Sequence, residues 1–154
     1  MTAGTRADAQ GLLAEFLVAD THYLASSTAY GDGGEPALDA ALQLFLERPE
    51  LGFVWLAYAD DDGVRRVVGT CVACYAISTS RGTLVAKLDD VNVRREWTGR
   101  GVGTAMLKAL VEVLAAEGVS RVDSACHRDN GDAWRFYARL GFEPLDEERI
   151  ALLI

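Results

Sequence analysis

Apolar positions return at helical spacing in four stretches of this chain and follow strand-like patterns in the stretches between them. Leu12, Leu13, Phe16 and Leu17 form a stripe that predicts a helix over residues 6–19. Pro36 suits the first turn of a second helix, which Leu38, Leu42 and Phe45 continue until Pro49 stops it. Residues 26–35, with Gly31-Asp32-Gly33-Gly34, have little to bury and read as a loop. Phe53–Ala59 and Val64–Ile77 are rich in β-branched and aromatic residues and predict two strands, joined by a hairpin turn at Asp60-Asp61-Asp62-Gly63. Residues 84–93 predict a third strand. Met106, Leu107, Leu110, Val111 and Leu114 then restore the helical period up to about Glu117, where Gly118 is placed to end the helix. Arg121–His127 reads as a strand, and Ala133, Phe136, Tyr137 and Leu140 mark one face of a short helix closed by Gly141. Two last strands are predicted at 142–146 and 149–154. The final one is apolar on both faces, so sheet neighbours or a second subunit should cover it, and a homodimer is the expected assembly. The order α-α-β-β-β-α-β-α-β-β predicts a single α/β (α+β) domain over 1–154, its mixed sheet mostly antiparallel with one β-α-β crossover.

Composition narrows the function. A chain of 154 residues, half of them apolar, has enough length for one proper core. Its net charge of −8 argues against nucleic acid or an anionic membrane as partner and would draw in a cationic small molecule. Around residues 98–104 the sign reverses: Arg94, Arg95, Arg100 and Lys108 face only Glu96 and Glu112. The first ten residues lack the basic-then-apolar pattern of a signal peptide, and no apolar run reaches the roughly 18 residues that span a bilayer. Three cysteines do not suggest a disulfide framework. The expectation is a soluble cytoplasmic protein.

The chemistry concentrates at Thr98-Gly99-Arg100-Gly101-Val102-Gly103-Thr104, a glycine-rich turn between a strand and a helix. Such a turn lets backbone N–H groups approach an anion while the helix N-terminus adds its positive dipole end. Glycine at every second position removes Cβ atoms that would hold a pyrophosphate away. The turn is not a P-loop, since no Lys-Ser or Lys-Thr occurs in the chain. A dinucleotide turn would need glycine at Thr104 and a repeating β-α-β sheet, which the hairpin-rich first half does not supply.

The turn resembles the Arg/Gln-x-x-Gly-x-Gly/Ala pyrophosphate loop of the acetyl-CoA-dependent N-acetyltransferase (GNAT) superfamily. Downstream, the stretch from Asn130 through Ala133, Phe136, Tyr137 and Leu140 to Gly141-Phe142 is similar to that family's Asn-x-x-Ala-x-x-Phe-Tyr-x-x-x-Gly-Phe. The two motifs lie at the family's separation and cover residues 88–142. Ser78–Gly82, Leu88-Asp89-Asp90 and Pro144-Leu145-Asp146-Glu147 look like the diamine (spermidine/spermine) acetyltransferase branch. Two departures stand out. Thr98 replaces the long side chain that usually opens the loop, and the chain begins with a helix where the family usually begins with a strand.

The resemblance implies a GNAT-like fold, acetyl-CoA as co-substrate without a metal, and a small-molecule primary amine as acceptor, attacked directly in a ternary complex. An alkyl amine with a lysine-like pKa is only about one part in a thousand neutral at pH 7, a cost of roughly 4–5 kcal/mol, so its proton needs an acceptor. The departing thiolate benefits from a donor still protonated at neutral pH, and a tyrosine qualifies. Tyr137 matches the family's thiol-facing tyrosine and is the expected general acid. Asp89 and Asp90, adjacent in a strand, should point to opposite faces. A charge in an apolar strand is costly unless paired or solvated. The resemblance makes Asp89 the base, acting through water, with Asp90 and Glu147 holding the amine. The bland alternative is that one aspartate is an exposed face residue and the other anchors a neighbouring amide. For the cofactor it implies pyrophosphate contacts from Thr98, Gly99, Arg100, Gly101, Val102, Gly103 and Thr104. The backbone of Val91, Asn92 and Val93 would run beside the pantetheine arm. Asn130 matches a residue that contacts the same arm; it is equally an N-cap for the next helix, and both are compatible.

Cys71 and Cys74 have metal-ligand spacing, with Cys126-His127 downstream, but both sit inside an apolar strand and face opposite sides of it, so they read as small buried groups. His22 and His127 have no partner pattern. The alternatives left open are an amino acid, antibiotic amine or protein amine as acceptor, and a non-catalytic CoA-binding sensor.

Overall fold

The computed structural model describes residues 1–19 and 34–145. Its first helix, α1 (Arg6–Ala19), follows a short 3-10 turn at Ala3–Thr5, and α2 spans Gly34–Glu47. Three strands come next: β1 (Gly52–Asp61), β2 (Val64–Ser78) and β3 (Thr83–Val93). A 3-10 turn at Arg95–Trp97 leads into α3 (Val102–Ala116), and β4 (Val119–Ser124) and α4 (Gly131–Arg139) complete the described elements. The sheet order is β1-β2-β3-β4. The first two pairings are antiparallel and the third is parallel, so α3 is the crossover.

Alternation along the strands divides the core into two halves. Cys71, Ala73, Ala86 and Leu88 face α3, where Met106, Leu107, Leu110 and Leu114 bury one helical stripe. Each of those side chains contributes roughly 1.5–3 kcal/mol by leaving water. Val54 and Val72 face the other way and pack on Ala9 and Leu13 of α1 and Leu38 and Leu42 of α2. The hairpin between β1 and β2 closes at Asp62-Gly63, both with positive φ (49° and 79°), which matches the right-handed twist of the strands.

Two differences from the sequence pattern bear on the site. β4 begins at Val119 and leaves the sheet after Ser124 rather than continuing to His127, because its register with β3 ends at the pair Leu88 and Ser124. Residues 142–145, expected to open another strand, have no strand geometry; Pro144 has no N–H to give a ladder. The expected strand at 149–154, Glu147 and most of the 26–35 loop lie outside the described residues. Among the described residues, no helix is long and apolar enough to cross a membrane.

Candidate active site

The parting of β3 and β4 makes the site. Beyond Leu88 and Ser124 the two strands have no further paired residues. The β3 edge over residues 89–93 therefore faces a gap, its other edge still held by β2. Irregular register between Thr70 and Val72 marks a bulge on the same stretch: Thr70 pairs with Asn92 and Val72 with Asp89, so Cys71 alone opposes Asp90 and Val91. Asp90 takes the extra position with φ +50°. Aspartate tolerates this left-handed region better than most side chains. The bulge breaks simple alternation between Leu88 and Val91. Asp89 shares the face of Val72, and Val91 returns to the α3 side three residues after Leu88.

Glycines 99, 101 and 103 do two different jobs. Gly99 and Gly101 hold φ of +74° and +81° with open space where a Cβ would stand, so they shape the turn. A Cβ on Gly103 would come 3.3 Å from the Phe136 ring and 3.4 Å from Val93 Cγ2. Its lack of a side chain lets α3 seat against α4 and the end of β3, a packing role the motif alone does not disclose. The first intrahelical bond of α3 runs from Ala105 N–H to Gly101 O at 3.0 Å. The N–H groups of Val102, Gly103 and Thr104 are thus the unsatisfied donors of a helix N-terminus, with no acidic residue in the first turn. They fit a phosphate group, and their helix dipole favours it.

The flanking side chains divide unequally. Thr98 turns its hydroxyl inward to Arg95 O, closing the 3-10 turn before the glycines, which accounts for a short residue at that position. Arg100 lies over the Trp97 ring, 4.9 Å from its centroid. Arg94 departs from the expected positive island: it is anchored to Val67 O at 3.0 Å and to Glu15 of α1 at 3.1 Å. Lys108 lines, with Arg139, a groove of about 270 Å³ between α3 and α4 whose floor includes Leu107, Leu140 and Phe142.

Tyr137 sits on the α3 side of the gap, its ring between Phe136 and Phe142 at centroid distances of 5.3 and 5.2 Å. Burial pushes its hydroxyl up to about 12, with smaller contributions from Cys71, Cys126 and Asp89, while the neighbouring Ser124 hydroxyl acts in the opposite direction. Asp89 lies on the opposite face of the sheet, where Lys87 Nζ reaches its Oδ2 at 2.6 Å. Sequence reasoning missed that lysine, although a charge two residues along a strand shares its face. Asn130 caps α4, its Oδ1 accepting from Ala133 N–H at 3.1 Å. Its amide nitrogen is left over for a second contact. Burial raises the thiols of Cys71, Cys74 and Cys126. Cys71 belongs to the α3 core and Cys74 to the α1–α2 side, so the pair cannot share a ligand.

A strand edge that β4 leaves at Leu88, a bulge beside it and a helix N-terminus opened by glycines are assembled around one gap, and sequence comparison bears on the same stretch. The model of the acetyltransferase (GNAT) family matches residues 18–142. The chain belongs to the acetyltransferase (GNAT) family. An uncharacterized N-acetyltransferase of Methanocaldococcus jannaschii is 35% identical over 98 residues, which are 59% of this chain and 43% of that relative. The chain thus spans less than half the length of that curated GNAT relative. Among solved structures, a probable acetyltransferase aligns over 100% of this chain and 95% of its own, with TM-score 0.79 and 20% identity. An integron cassette protein from the mobile metagenome of Cole Harbour Salt Marsh aligns over 100% and 88%, with TM-score 0.76 and 24% identity. These likenesses establish the GNAT fold.

Proposed function

We propose that this chain transfers acetyl from acetyl-CoA to a primary amine of a small molecule by direct attack in a ternary complex. The observation that carries the reading is the gap beyond Leu88 and Ser124, with Tyr137 on one face, Asp89 on the other and the open N-terminus of α3 at the same end of the fold. When bound, acetyl-CoA supplies the acyl group as a thioester with a thiol leaving group. In this reading the N–H groups of Val102, Gly103 and Thr104 hold the pyrophosphate, while residues 91–93 take the pantetheine arm as an added strand and Asn130 steadies it. Asp89 accepts the amine proton through water, and Asp90, on the bulge beside it, holds the amine.

Tyr137 donates its hydroxyl hydrogen toward the sulfur. At about 12 it is fully protonated at neutral pH. Handing its proton completely to a thiolate with a pKa of about 8.5 would be uphill by roughly 5 kcal/mol. Its main contribution is therefore a hydrogen bond that strengthens as charge develops on sulfur. A cytoplasmic, dimeric setting belongs to the same proposal, and a diamine is the acceptor that the sequence resemblance implies. Free-thiol release from acetyl-CoA, measured against a panel of diamines and amino acids, tests it. Amine-dependent release is expected. Thermal stabilisation by acetyl-CoA with no release on any amine would replace the enzyme with a CoA-binding sensor.

A further inference from the structure

The face of the sheet that carries Asp89 has a charge pattern of its own. In the parallel register Lys87 stands opposite Asp123, and Leu88 opposite Ser124. Partners across a pair share a face, as do residues two apart on a strand. Ala86, Leu88 and Val122 belong to the core beneath α3, so Lys87, Asp89, Arg121 and Asp123 stand together on the other side. Lys87 Nζ meets Asp89 Oδ2 at 2.6 Å, and Arg121 grips both oxygens of Asp123 at 2.8 and 2.9 Å. All four side chains keep between 29% and 47% of their exposure, so a solute can reach them. The row carries two cations against two carboxylates.

A polycation needs carboxylates in excess. Here each carboxylate of the row already faces a cation, and the second ammonium of a diamine bound at Asp89 would be set against Lys87. A molecule that carries its own carboxylate avoids that conflict. Its amine end displaces Lys87 and lies one water from Asp89, and its carboxylate replaces Asp89 at Lys87, so one ammonium and one carboxylate leave no charge unpaired.

We propose that the acceptor is an amine bearing an anionic group, of amino-acid type, selected by Lys87 with Arg121 beside it. The inference rests on the proposed acetyl transfer and narrows its acceptor class away from the diamine. 5-Aminopentanoate and putrescine, which differ only in carrying a carboxylate or a second ammonium at the far end of the same four-carbon chain, make the test. The wild-type protein should acetylate 5-aminopentanoate with kcat/KM at least tenfold above putrescine. K87M should bring that ratio close to one, and K87R should keep most of it. Calorimetric titration of each amine into the CoA-saturated protein should give the same ranking with no chemistry involved. A wild-type preference for putrescine, a ratio unmoved by K87M, or binding of neither amine overturns the proposal. Absence of thiol release with every amine would sink the acetyl transfer instead, while the calorimetric ranking would still decide the acceptor class.

Discussion

At Tyr137 one side chain connects stability with chemistry. Its hydroxyl is drawn out of water between two phenylalanine rings, and burial holds it near 12. Tyr137→Phe should lower turnover at least about tenfold while leaving acetyl-CoA affinity nearly unchanged, as read from steady-state kinetics beside a binding isotherm. The same substitution should alter the pH dependence of folding. A tyrosine at about 12 in the fold and about 10 when unfolded stabilises the fold fully below pH 10. That contribution is lost as the pH rises from about 10 toward 12, a loss of roughly 2–3 kcal/mol. Urea unfolding at pH 8 and pH 11.5 should therefore show a smaller drop in Tyr137→Phe than in the wild type. Tyr75, also pushed up to about 12 by burial and by Glu117, titrates in both proteins and cancels from the difference.

Among the elements, the bulge on β3 exerts the most control over the site. It places Asp90 at φ +50° opposite Cys71, a conformation that costs a β-branched residue about 1–2 kcal/mol more than Asp or Asn. Asp90→Val should accordingly lose about that much stability relative to Asp90→Asn in denaturant titrations. Helix α1 was legible to the residue, since Leu12 and Leu13 set its stripe and nothing tertiary opposes it. The glycine turn and the start of α4 were legible because Gly101 and Asn130 act locally, through φ and a cap. The bulge was not, because Asp89-Asp90 alternates acceptably in either register and only pairing with β2 selects the inserted residue. The end of β4 escaped for a related reason: Val119 and Val122 show a strand, but the point where it leaves β3 depends on the whole sheet. The ion pair between Lys87 and Asp89 could have been found from their separation of two.

For the molecule as a whole, the α3 N-terminus and the stretch of β3 beyond its pairing with β4 predict that ligand and fold are linked. Acetyl-CoA at about a hundred times its Kd should add about 2.7 kcal/mol, which for a chain of this size raises Tm by roughly 5–10 °C. A thermal melt with and without the ligand measures this directly. Gly101→Ala should shrink the increment, because a Cβ at φ +81° strains the turn that presents the donors.

The separation of the two strands has a final consequence. Its starting point is set by hydrogen-bond register, which ends at Leu88 and Ser124. In the proposed reaction, acceptor preference on one side is free to diversify while the main chain keeps the carrier's berth.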